Sequence, residues 1–104
     1  LVEYRGYGKT LVIEGDSVIM KPTGATRLFI KNHRIPIEEI EGARFTEATR
    51  LINGHLQLIV AGVEPGKPQA TDLHTVLFTY GHAEPFVELY QWLKAVAYSN
   101  NRPS

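Results

Sequence analysis

Only one stretch of this chain repeats its apolar residues at helical spacing. Phe86, Leu89, Tyr90, Leu93, Val96 and Ala97 fall on a single stripe, with Val87 and Trp92 at its margins. The spacing predicts an amphipathic helix over 84–98. Pro85 sits near its first turn, where a missing N–H costs little. Upstream, the apolar residues alternate in short runs broken by glycine, proline and asparagine, which is the pattern of strands. Strands that share an apolar face need a cover, and this helix is the natural one.

The clearest strand signal is a tight hairpin. Residues 10–14 and 17–21 flank Gly15-Asp16, a two-residue glycine turn. In that register Leu11 faces Met20 and Ile13 faces Val18, and these four form the expected core face. Val12 and Ile19 then pair on the opposite face, so the hairpin is apolar on both sides. Residues 27–31 read as a strand with Leu28 and Ile30 on one side. Ile35-Pro36-Ile37 is extended, because proline keeps its predecessor out of the helical region. Residues 37–40 suit one helical turn. Residues 41–47 read as a strand with Ala43 and Phe45 inward, and 55–61 as another with Leu56, Leu58 and Val60 on one face. Asn53-Gly54 is a hairpin signal, with a break expected between Ala48 and Leu51. Residues 62–73, with Pro65, Gly66 and Pro68, form the one long loop. Residues 75–80 are the last strand. The whole is expected to be one domain over 1–104, mainly β, with about seven antiparallel strands and the helix at 84–98 as its lid. The chain opens on Leu1 and not on Met, which reads as a fragment or a processed chain.

The ordered motifs resemble the bacterial pleckstrin-homology-like domains of unknown function common in actinobacterial proteins. The residues that carry the likeness are Gly6-Tyr7-Gly8-Lys9-Thr10, Leu11-Val12-Ile13-Glu14-Gly15-Asp16-Ser17-Val18-Ile19, Arg34-Ile35-Pro36-Ile37-Glu38-Glu39-Ile40, Asn53-Gly54-His55-Leu56-Gln57-Leu58 and Thr75-Val76-Leu77-Phe78. The closing helix matches from Phe86 to Ala95. The resemblance covers most of the chain from Gly6 onward. It implies a strongly bent barrel of seven strands plugged at one end by the helix, and no particular chemistry. Relatives that bind phosphoinositides use basic residues around the first hairpin loop. Here that loop is read as Gly15-Asp16, short and acidic, which argues against a headgroup site there.

Composition narrows the function classes. Lys+Arg 11 balances Asp+Glu 11, for a formal net charge of zero. Nucleic-acid binders carry a basic excess to displace counterions, so nucleic acid is not an expected partner. There is no cysteine, which excludes disulfides and thiolate metal sites and fits a reducing, cytoplasmic setting. No apolar run approaches the roughly 20 residues of a membrane span.

No catalytic constellation stands out, and no cofactor motif is present. Asp72 and His74 share a strand face and could meet His55 or His82, but the spacing is no recognised metal pattern. Ser17 follows a turn, a common structural place for serine. Glu38, Glu39 and Glu41 read as a solvated face. Two surface features remain. Lys21, Arg27, Lys31, His33 and Arg34 could form a basic patch for an anionic membrane surface or other anionic ligand. Val12, Ile19 and Trp92 could form an apolar interface. The reading is a non-catalytic protein-interaction or self-association module, with a peripheral membrane module as the alternative.

Overall fold

The computed structural model describes residues 1–102. Seven strands precede one helix: β1 Val2–Arg5, β2 Lys9–Glu14, β3 Ser17–Pro22, β4 His33–Pro36, β5 Ile40–Thr46, β6 Gly54–Val60, β7 Thr75–Phe78 and α1 Glu84–Asn100. They form two antiparallel sheets, β1-β2-β3-β4 and β5-β6-β7. The β2–β3 hairpin has the register its pattern predicts, with Leu11 opposite Met20, Val12 opposite Ile19 and Ile13 opposite Val18. It is the second hairpin and not the first. β1, to which the sequence pattern assigns no strand, pairs with β2 through a turn at residues 6–8.

The core lies between the sheets and under the helix. Leu11, Val18, Met20 and Ile35 come from the first sheet, Leu56, Leu58, Val76 and Phe78 from the second, and Phe86, Leu89 and Leu93 from α1. A row of aromatic rings binds the three layers. Tyr90 stacks on Phe45 at 5.0 Å, Phe45 on Phe78 at 5.5 Å and Phe78 on Phe86 at 4.7 Å, and Tyr4 of β1 closes the row at 6.2 Å from Phe86. The expected lid is thus present. Phe86, Leu89, Leu93 and Ala97 are buried and Val96 is half-buried.

Four expectations are corrected. The barrel is not closed. The 3₁₀ turn Ile37–Glu39 carries the chain from one sheet to the other, so the consecutive strands β4 and β5 do not pair. Elsewhere, among the described residues, one isolated β-bridge joins the sheets, where Tyr7 N donates to Leu77 O at 2.7 Å. Residues 27–31 are not a strand. Gly24 takes a left-handed φ of +59°, and Gly24–Leu28 winds into a 3₁₀ turn. Its backbone donors are satisfied locally, Thr26 N by Thr23 O and Phe29 N by Thr26 O, so nothing is left for a ladder. Asn53-Gly54 is not a hairpin turn. Gly54 opens β6, where a Cβ would stand 2.5 Å from Phe78 Cε2. The break expected between Ala48 and Leu51 is there, with the Thr49 hydroxyl accepting from Ile52 N at 2.9 Å.

The fourth correction concerns Val12 and Ile19, which are buried. Across the first sheet their row reads Glu3, Val12, Ile19, Arg34. The apolar pair sits on the two inner strands, between long charged side chains whose stems can cover apolar surface.

The end of α1 is clipped to the crossover. Asn100 Nδ2 donates to Ile37 O and Ile40 O, both at 2.8 Å. Asn100→Ala is expected to cost about 1–2 kcal/mol, read as a lowered thermal midpoint. An unchanged midpoint would show that the clip adds nothing.

Candidate functional site

The basic group is divided by the fold. Strand alternation puts Lys21 and Arg34 on the outer face of the first sheet, where Lys21 shares a row with Thr10 and Arg5. His33, one residue before Arg34, faces the other way, in the row of Leu11 and Met20. Arg27 and Lys31 are exposed on the connection between β3 and β4. Thr23 N donates to Gly8 O at 3.0 Å, so that connection lies beside the β1–β2 turn, at the same end of the sheet as Arg5 and Lys21. The opposite end carries Glu14, Asp16 and Glu38 around the β2–β3 turn and the crossover. A chain of zero net charge is therefore polarised along its first sheet. No Asp or Glu occurs in residues 17–37.

Two residues in that acid-free stretch were misplaced by the strand reading. Leu28 is 80% exposed and Phe29 is 83% exposed, side by side between Arg27 and Lys31. Alternating Leu28 and Ile30 imitate a strand, and only the 3₁₀ turn turns the tip outward. Leu51 and Ile52 form a second bare tip next to Arg50, but Glu47 stands in the same loop. Trp92 is 36% exposed on the helix flank, apart from both tips along the chain.

A polar cluster underlies the long loop, residues 61–74. Lys9, 2% exposed, donates its ammonium to Asp72 O and to Thr75 O, the latter at 2.9 Å. Asp72 Oδ2 accepts from the Thr75 hydroxyl at 2.6 Å, from Gln57 Nε2 at 3.3 Å and from His74 N at 3.3 Å. Gln57 Nε2 also donates to Gly66 O at 2.8 Å. Burial pulls the Lys9 ammonium below its ordinary range, and the Asp72 carboxylate partly offsets this. These contacts bind the loop to β2, β6 and β7. Ser17 Oγ donates to Asp16 Oδ1 at 3.1 Å and meets no base.

His74 meets His33, and not the His55 or His82 that spacing suggested. The two Nε2 atoms are 3.1 Å apart, so one ring donates and the other accepts. His82 Nδ1 pairs instead with the Thr79 hydroxyl. The imidazole pair borders a cavity of about 310 Å³ between the sheets, where Arg34, Glu39, Val60 and Leu73 also contribute. Among the described residues no group of three or more His, Cys, Asp or Glu converges as a metal cage.

The molecule is thus a mainly β domain of two antiparallel sheets under one C-terminal helix, with a basic, apolar-tipped end. A family model for a domain of unknown function, DUF4429, matches residues 11–91, and the chain belongs to that family. No curated protein and no solved structure matches it. Among the described residues no helix is long and apolar enough to cross a membrane.

Burial, then the neighbouring His33 and Lys9, hold the His74 imidazole below its ordinary value of 6.5, against the pull of Asp72. The unfolded chain therefore binds this proton more readily than the folded one. The contribution of neutral His74 to stability is complete above pH 6.5 and is lost as the pH falls below it. Chemical denaturation in chelator-treated buffer between neutral and mildly acidic pH should show that loss. His74→Gln should flatten the profile, and an unchanged profile in the variant would contradict the assignment.

Proposed function

We propose that this domain is a non-catalytic, pleckstrin-homology-like module of a cytoplasmic bacterial protein, and that it docks on anionic membrane surfaces through the connection between β3 and β4. The observation that carries the reading is the bare Leu28–Phe29 tip set between Arg27 and Lys31 in a stretch without acidic residues. The order of four strands, three strands and a closing helix supports the pleckstrin-homology-like placement. The first hairpin turn, at residues 6–8, has Arg5 and Tyr7 beside it, so the acidic Gly15-Asp16 turn is not the relevant comparison with lipid-binding relatives.

Magnitudes decide between this and a purely electrostatic contact. Cations near an anionic leaflet contribute about 1 kcal/mol each. Lys21, Arg27 and Lys31 alone would give only millimolar-range attraction, about 3 kcal/mol. Full burial of a Leu or Phe side chain adds about 1.5–3 kcal/mol. Both terms together reach the micromolar range, and each is needed. Protein interaction through Val12 and Ile19, the other reading of the sequence, would require the first sheet to uncover buried residues.

Co-sedimentation with vesicles tests the proposal. Binding should appear with phosphatidylserine-containing vesicles, be absent with phosphatidylcholine alone, and weaken with salt. The double variant Leu28→Ser, Phe29→Ser should lose about tenfold or more in affinity while keeping its thermal midpoint, because both side chains are already in solvent. Leu51→Ser, Ile52→Ser serves as the comparison and should bind as wild type. No binding at low salt, or equal losses from both tips, would overturn the reading.

A further inference from the structure

We propose that His33 and His74 are two ligands of a site for a late first-row divalent metal ion such as Zn²⁺, with water in the remaining positions. The argument begins with geometry. Two imidazole nitrogens each about 2.0–2.1 Å from one ion lie about 2.9 Å apart at a right angle and about 3.4 Å apart at the tetrahedral angle. The two Nε2 atoms here are 3.1 Å apart, inside that span. The rings do not stack. Their centroids are 5.0 Å apart and their planes are inclined at 56°. An ion between the rings replaces their shared proton without requiring either ring to move far.

The surroundings meet the other requirements. Imidazole suits zinc, copper and nickel, and it ligates only when neutral. Desolvation favours the neutral form of His74. The adjoining cavity, about 310 Å³, is large enough for water and opens a route for entry. The local charges are balanced. Lys9 opposes a dication, while Asp72 favours it. Because no third His, Cys, Asp or Glu converges on the pair among the described residues, binding is weaker than in a closed structural zinc site and exchangeable.

The rings belong to different parts of the fold. His33 opens β4 in the first sheet, and His74 ends the long loop, one residue before β7 in the second sheet. A bound ion would tie the two sheets where strand pairing does not, in place of the hydrogen bond the two rings now share. It would therefore act as a cross-link that stabilises the native state by mass action.

Calorimetric titration with Zn²⁺ at neutral pH, followed in parallel by the imidazole resonances, tests this. Wild-type protein should take up one equivalent, with the His33 and His74 signals shifting together, and its thermal midpoint should rise with Zn²⁺. His33→Gln and His74→Gln should each weaken binding about tenfold or more, while His82→Gln should not. Far-ultraviolet circular dichroism confirms that the variants remain folded. If either is unfolded, the paired resonance shifts in wild-type protein decide the question. Absence of uptake, shifts confined to His55 or His82, or undiminished binding in folded His33 and His74 variants would overturn the proposal.

Discussion

The aromatic row from Tyr90 through Phe45, Phe78 and Phe86 to Tyr4 joins α1 to both sheets. Other ties between the sheets are the aliphatic core, the Lys9–Thr75 hydrogen bond, one backbone bridge and the crossover at Ile37–Glu39. Each ring buries a large apolar area, and offset aromatic pairs add to that burial. The lid is therefore also a clamp, packed chiefly on β5 and reaching the first sheet through Tyr4. The seam that the clamp leaves open on the β4 side is where polar chemistry collects, as Lys9, Asp72, Gln57 and the two histidines.

The clamp also fixes which parts of the chain are free to act. With one face of each sheet turned to the core, and Val12 and Ile19 sheltered on the other face of the first sheet, most of the large apolar side chains left in solvent sit in connections, with Val87, Trp92 and Tyr98 on the outer side of α1. Of these, the connection between β3 and β4 couples apolar exposure to unbroken positive charge. Glu14, Asp16 and Glu38 stand at the opposite end of the same sheet, around Gly15-Asp16 and the crossover, and Glu3 stands in its middle row. On the proposed reading, this uneven charge along the first sheet would turn the Leu28–Phe29 tip toward an anionic surface.

Local periodicity made the helix, the β2–β3 register and the long loop legible in the sequence. Each depends on neighbours within a few residues. The 3₁₀ turn was not legible, because Leu28 and Ile30 alternate like a strand and Gly24 is a weak stop on its own. The sequence left open whether residues 1–7 cover Val12 and Ile19, since their burial depends on strands β1 and β4 flanking the hairpin. The His33–His74 contact joins residues 41 apart in the chain, and no spacing rule reaches that far. The basic residues were recognised as a group, but only the pleat reveals that Lys21 and Arg34 face away from His33.

Depth measurement on a membrane tests the central claim most directly. The chain has no cysteine, so Leu28→Cys gives a single attachment point for a nitroxide. Power-saturation spectra on phosphatidylserine-containing vesicles should place that label about 5–10 Å below the headgroup boundary, the depth of an interfacial apolar anchor. A label at Leu51→Cys should remain in water. Equal accessibility to aqueous relaxant at both positions, with and without vesicles, would contradict the account.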